Sequence, residues 1–132
     1  MSKSLDVHID YIIVPTNGYT AVSLQEQVEK IIRKHKLLKG ITTLYSTDQC
    51  CFIILTEYEP GLMHDLEQLL EKIEPNKRCY VAEALYGKDA SLPIDNGETC
   101  QGIFKHPILV DISGVKGEKK VVVVLEGIFN RN

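Results

Sequence analysis

The stretch Ser91-Leu92-Pro93-Ile94-Asp95-Asn96-Gly97-Glu98-Thr99-Cys100-Gln101-Gly102-Ile103-Phe104 places an Asn-Gly pair between two runs able to form strands, Ser91 to Ile94 and Thr99 to Phe104. Asparagine and glycine tolerate the positive φ of a tight hairpin, so the two runs predict an antiparallel pair. Downstream, Ile108 to Ile112 and Lys119 to Ile128 are joined by the turn-rich Ser113-Gly114-Val115-Lys116-Gly117. The second half of the chain therefore reads as strands linked by tight turns.

Upstream the pattern mixes strands and helices. Leu5, Val7, Ile9 and Tyr11 alternate with Asp6, His8 and Asp10 before Ile12, Ile13 and Val14, the period of a half-buried strand with His8 on its polar face. Pro15, Asn17 and Gly18 close it. Ser23-Leu24-Gln25-Glu26 has the form of a capping box, and Leu24, Val28, Ile31, Ile32 and Leu38 form one apolar stripe, with Gly40 expected as the left-handed C-terminal cap. Lys30, Arg33, Lys34, Lys36 and Lys39 on the outer face complement the helix dipole. Ile41 to Thr47 and Cys50 to Glu57 follow as strands, the second apolar enough to be buried on both faces. After the break at Glu59-Pro60-Gly61, Leu62, Leu66, Leu69, Leu70 and Ile73 repeat at helical spacing until Glu74-Pro75-Asn76, and Tyr80 to Tyr86 forms a short helical turn stopped by Gly87. The order predicts an α+β fold, a mostly antiparallel sheet or sandwich with two main amphipathic helices, as a single domain over residues 1–132.

Composition narrows the function classes. With 132 residues, 44% hydrophobic and 25% charged, the chain is ordinary globular protein, not a disordered one. A net charge of -3 argues against a nucleic-acid binder that works by neutralising phosphates. The longest apolar run, Val121 to Leu125, is too short to span a membrane, and the residues from Met1 to His8 lack the apolar core of a secretory signal, so the expectation is a cytoplasmic protein. Cys50, Cys51, Cys79 and Cys100 show no Cys-x-x-Cys spacing. They are expected to be reduced core residues with no zinc site, and no metal or other cofactor is called for.

No phosphate-binding glycine loop, zinc-binding His-x-x-x-His helix or nucleophile elbow is present. Polar residues instead gather at strand ends beside turns: Asp48, Glu57, Glu59, Asp65, Lys105, His106, Asp111 and Lys116. Such positions either converge on a pocket or lie in solvated loops. Glu57 closes an apolar strand, where a partly desolvated carboxylate suits a base, a metal ligand or a hydrogen-bond acceptor; the competing reading is a charge that caps the next helix. His35 and His106 each lack a neighbouring ligand at metal spacing, and His64, beside Asp65 off the leucine stripe, reads as a surface helical histidine rather than a ligand.

From Thr56-Glu57-Tyr58-Glu59-Pro60-Gly61 through Asp65, the chain resembles the YjbQ-type family, also called the secondary thiamine-phosphate synthase family. In that family an Asn-Glu pair ends a strand before a Pro-Gly break and a helix with an early aspartate. The likeness continues through Ala84-Leu85-Tyr86-Gly87, Leu92-Pro93-Ile94, Asn96-Gly97, Gly102, Gly114 and the closing Val121-Val122-Val123-Val124-Leu125-Glu126-Gly127. The site motifs differ. The family's two motif histidines fall on Asp48 and Tyr80, its Gly-Thr-Trp-Gln on Gly102-Ile103-Phe104-Lys105, its Gly-Pro-Arg on Gly114-Val115-Lys116, and a glutamate on Asp111. The resemblance implies a homotrimer with pockets near subunit boundaries. It also implies a small phosphorylated or anionic ligand, with Glu57 and Asp48 as catalytic groups and Asp65, Tyr80, Lys105, Asp111 and Lys116 as ligand contacts. Lysine keeps the charge of arginine but loses its bidentate fork, and aspartate or tyrosine does not replace imidazole as a proton shuttle. Two readings stay open: a non-catalytic ligand- or protein-binding member, and a divergent enzyme, a thiamine-phosphate synthase-like transferase.

Overall fold

The computed structural model describes residues 3–73, 79–102 and 104–130. Its elements in chain order are β1 (Lys3–Thr16), β2 (Thr20–Ser23), α1 (Gln25–His35), β3 (Leu37–Ser46), β4 (Cys51–Glu57), α2 (Pro60–Ile73), α3 (Tyr80–Tyr86), β5 (Asp89–Asp95), β6 (Glu98–Thr99), β7 (Lys105–Asp111) and β8 (Gly117–Asn130). One antiparallel sheet has five strands in the order β1-β8-β3-β5-β6; the other has three, β2-β7-β4.

The expected hairpin joins β5 to β6, with Asn96 and Gly97 both at positive φ and Ile94 opposite Thr99. The second strand is shorter than expected and stops at Thr99, because Gly102 and Phe104 at φ +102° and +64° turn the chain out of the extended path. β2 was hidden in the sequence by its four-residue length, and pairing with β7 holds it.

The layers follow from which faces are apolar. Leu44, Leu92, Val121, Val123 and Leu125 of the large sheet meet Cys51, Ile53 and Leu109 of the small sheet, and Val28, Ile31 and Ile32 of α1 complete this core. The other face of the small sheet, with Phe52, Ile108 and Val110, is covered by Met63 of α2 and Ala82 of α3. Residues 51–53 of β4 and 107–111 of β7 are thus buried on both sides, whereas the second half of β4 emerges, with Leu55 40% exposed.

α1 departs from its predicted ends. Leu24 occupies the N-cap without a side-chain bond, while Ser23 Oγ accepts the Gln25 amide at 3.2 Å; no reciprocal capping box forms. The left-handed C-cap is Lys36, whose amide reaches the Arg33 and Ile32 carbonyls. Gly40 lies instead within β3, opposite Gly127 of β8. A Cβ on Gly40 would stand 1.9 Å from the Glu126 carbonyl oxygen, and one on Gly127 would stand 2.0 Å from that of Lys39. α2 takes in Pro60 and Gly61 of the expected break, with Pro60 first and Glu59 accepting the Gly61 and Leu62 amides at 2.8 Å each. These bonds hold the Glu59 carboxyl below its ordinary range, and they make Glu59, not Glu57, the capping carboxylate.

β1 is inverted relative to expectation. His8, Asp10, Ile12, Val14 and Thr16 face inward, and Leu5, Val7, Ile9, Tyr11 and Ile13 face outward, Leu5 being 84% exposed. His8 is therefore not on the solvent face. Its ring stacks on Phe129 at 4.0 Å, and its Nδ1 meets His35 Nδ1 at 2.9 Å. His35 Nε2 in turn contacts Asp10 at 2.8 Å. Ile41 and Tyr45 of β3 and Ile128 of β8 extend the outer apolar face.

Candidate functional site

β4 separates the two proposed catalytic carboxylates. Asp48 precedes its start and Glu57 is its last residue, so at roughly 3.3 Å per residue the strand alone holds them about 20 Å apart. The same spacing separates Lys105 and Asp111, the first and last residues of β7, and Lys116 lies exposed in the loop beyond Asp111. The sequence-predicted groups therefore form two clusters at opposite ends of the small sheet.

At the Asp111 end the side chains satisfy one another. Asp111 is completely buried, accepts bonds from the Thr16 hydroxyl and, at 2.8 Å, from the Ser113 amide, and lies 3.2 Å from Lys119 Nζ. Burial opposes its ionisation, but the bonds from Thr16, Ser113 and Lys119 outweigh that and keep the carboxyl below its ordinary value. Lys119 also donates to the Thr16 hydroxyl at 3.2 Å and the Val115 carbonyl at 2.6 Å. This network ties β1, β7 and β8 together and leaves Asp111 no oxygen open to solvent. Burial and the Asp111 charge push the neighbouring Cys51 thiol up to about 12, so it stays protonated. Sequence reasoning missed Lys119; the signal that could have found it is strand parity, since it shares the inward register of Val121, Val123 and Leu125.

Asp48 occupies the adjacent edge. Its Oδ2 accepts the Lys120 amide at 2.7 Å, and its carbonyl accepts Lys88 Nζ. Lys88 Nζ lies 3.6 Å from Glu83 of α3, whose Oε1 accepts the Cys50 amide at 3.0 Å. Beside them Cys50 and Cys79 are joined in a disulfide, which corrects the expectation of four reduced cysteines; only Cys51 and Cys100 are free. The partners are 29 residues apart in the chain yet have Cα atoms 5.3 Å apart, a proximity that only the tertiary fold creates. The Tyr80 side chain lies outside the described residues.

The opposite end is open. Glu57 and Lys105 pair across β4 and β7 at 3.9 Å, both well exposed. On the other face of the strand, His106 Nδ1 meets Ser23 Oγ at 2.8 Å, and the Tyr58 ring stacks on the imidazole at 5.9 Å. These three residues, with Glu26, Gln27 and Glu29 of α1, line a cleft of about 620 Å³. In the tautomer in which the Ser23 hydroxyl donates to His106 Nδ1, Nε2 carries the hydrogen, and Nε2 has no partner among the described residues. The Leu24 amide donates to Pro107 O and the Gln25 amide to Ser23, so those of Glu26 and Gln27 have no acceptor among the described residues. Sequence reasoning gave His106 little weight because its partner, Ser23, is 83 residues away. Asp65 and His64 lie exposed on α2, joined to neither cluster. No group of three or more His, Cys, Asp or Glu side chains is arranged to hold a metal ion among the described residues.

Known proteins share this arrangement of sheets. A YjbQ-like protein of unknown function from Sulfolobus solfataricus P2 superposes with a TM-score of 0.85 at 23% identity, covering 94% of this chain and 99% of that one. An uncharacterised conserved protein of the yjbq/upf0047 family from Clostridium acetobutylicum gives 0.78 at 17% identity, covering 86% and 97%. In sequence, a UPF0047 protein of Archaeoglobus fulgidus is 19% identical over 116 residues, 79% of this chain and 90% of its own length. The model of the family described as UPF0047 protein YjbQ-like matches residues 10–127, nearly the whole of the two sheets, and the chain belongs to that family.

Proposed function

We propose that the protein binds a small anionic ligand, a phosphate ester being the simplest case, in the cleft beside His106, and that it works as a homotrimer. The observation that carries the ligand reading is a set of groups in one cleft without partners among the described residues, His106 Nε2 and the amides of Glu26 and Gln27; His106 is taken in the tautomer that places the hydrogen on Nε2. An uncapped helix start favours negative charge. Glu26 and Glu29 on the same wall favour a ligand that carries a donor or positive group beside its anion. Tyr58 offers a half-exposed ring against which a planar group can stack.

The trimer reading rests on the outer face of the large sheet. Leu5, Val7, Ile9, Tyr11, Ile13, Ile41, Tyr45 and Ile128 form an apolar surface that a lone chain leaves in water. Copies of the same chain covering it agree with the assembly that the family resemblance implies. A transferase reading that uses Glu57 and Asp48 on one substrate requires those groups from two copies, because one chain holds them at opposite ends of β4.

Calorimetric titration with inorganic phosphate and pyrophosphate tests the cleft. Binding is expected for the native chain and weakened about tenfold or more by His106→Ala, the loss of one charge-assisted bond. No heat with either anion, or equal affinity in the variant, removes the reading.

A further inference from the structure

We propose that the Cys50–Cys79 disulfide is a thiol–disulfide exchange site that locks and releases α3. The inference is independent of the ligand cleft, which lies at the far end of β4. α3 has seven residues, fewer than the roughly 12–15 at which an isolated helix becomes even marginal in water. It must therefore be held by its neighbours, and two of its grips pass through one residue. The disulfide ties its N-cap to Cys50, and the Glu83 carboxylate of α3 accepts the Cys50 amide at 3.0 Å. Its other contacts include the burial of Ala82 and an edge contact of Tyr86 with Phe52 at 6.4 Å. The same residues lead outward: Glu83 to Lys88 at 3.6 Å, and Lys88 to the Asp48 carbonyl. Opening the bond thus loosens α3 and, through Lys88, the loop that carries Asp48.

The chemistry needs an external dithiol. Cys51 beside Cys50 is buried with its thiol held protonated, so it does not attack its neighbour. Both cysteines are buried, Cys50 at 7% and Cys79 at 0% exposed, so a reductant reaches the bond when α3 opens locally, with Cys50 the less covered of the two. A thiolate of the reductant attacks Cys50 Sγ, the S–S bond breaks, and Cys79 leaves as a thiolate that takes up a proton. The second thiol of the reductant then displaces Cys50 from the mixed disulfide. The dithiol becomes a disulfide and the protein gains two thiols.

The full chain, purified without reductant, denatured and alkylated, is expected to gain two labels, on Cys51 and Cys100, and four after dithiothreitol. In the reduced native protein the amides of residues 80–86 are expected to exchange hydrogen about tenfold faster or more, with β1, β3 and β8 unchanged and full protection restored on reoxidation. A Cys50→Ala/Cys79→Ala double variant is expected to show the reduced pattern without any reductant. Four labels before reduction overturn the proposal, as does unchanged α3 exchange in both the reduced protein and the variant. Global unfolding of both overturns it as well, because the bond is then only a structural staple.

Discussion

Lys119 Nζ lies 3.2 Å from Asp111 Oδ2, with both side chains buried where the ends of β1, β7 and β8 meet. A buried pair is costly to assemble but far more costly to halve, since the surviving charge loses its partner without regaining water. Lys119→Met is expected to lower stability by about 3–5 kcal/mol in urea unfolding. Asp111→Asn with Lys119→Met together should cost less than the single lysine change; a double variant less stable than Lys119→Met contradicts the pairing.

The same carboxyl sets a pH dependence. Asp111 titrates below its unfolded value of 3.8 in the folded chain, and Asp10, hydrogen-bonded first by His35 and then by the Tyr11 amide, is lowered to about 2. Groups with depressed folded values contribute fully above the unfolded value and lose that contribution as the pH falls through the folded one. Stability followed by circular dichroism should therefore fall between pH 3.8 and about 2, with the Asp10 part absent in Asp10→Asn. An Asp10→Asn profile identical to that of the native chain would show that His35 gives Asp10 no advantage.

The outward side chains of β1 supply a test of assembly. Light scattering of the native protein is expected to give the mass of three chains, and Ile9→Asp with Tyr11→Glu the mass of one, with the far-ultraviolet spectrum retained. A native monomer at micromolar concentration removes the trimer reading.

Asp48 and Glu57 should behave as independent sites. Effects of Asp48→Asn and Glu57→Gln on thermal stability are expected to add within about 0.5 kcal/mol, as for residues more than about 10 Å apart. A coupling above about 1 kcal/mol would place them in contact, directly or across two copies. Thiamine-phosphate synthesis from its pyrimidine and thiazole precursors is expected to be absent or slight, as judged by product chromatography.

Gly127→Ala is expected to destabilise by at least about 2 kcal/mol, because the added methyl meets the Lys39 carbonyl and the backbone stays at φ +145°. Gly87→Ala is the control, with nothing within 4 Å of its Cβ, and should cost less. Equal losses in chemical denaturation would mean that the close approach of β3 to β8 carries no energetic weight.

Local chemistry made most of the fold legible. The Asn96-Gly97 turn, the leucine spacing of α2 and the apolar run of β4 each encode their element within a few residues. The inversion of β1 was not legible, because Tyr11, Ile12, Ile13 and Val14 are apolar in both parities and cannot say which face is inside. On the inner face His8 and Asp10 are both bonded by His35, from another element. The candidate site divides the same way. Lys119 could be read from strand parity, but the Ser23–His106 contact and the Cys50–Cys79 bond join residues 83 and 29 positions apart and follow from the folded geometry alone.

The facing glycines of β3 and β8 do something that hydrophobic alternation cannot. Sliding one strand past the other by two residues preserves every inward and outward position, so burial alone does not penalise it. Moving Gly40 away from Gly127 brings a side chain into a gap where a Cβ would stand 1.9 or 2.0 Å from a carbonyl oxygen. The pair is thus a register key: it is the absence of two methyl groups that tells the central strands where to stop.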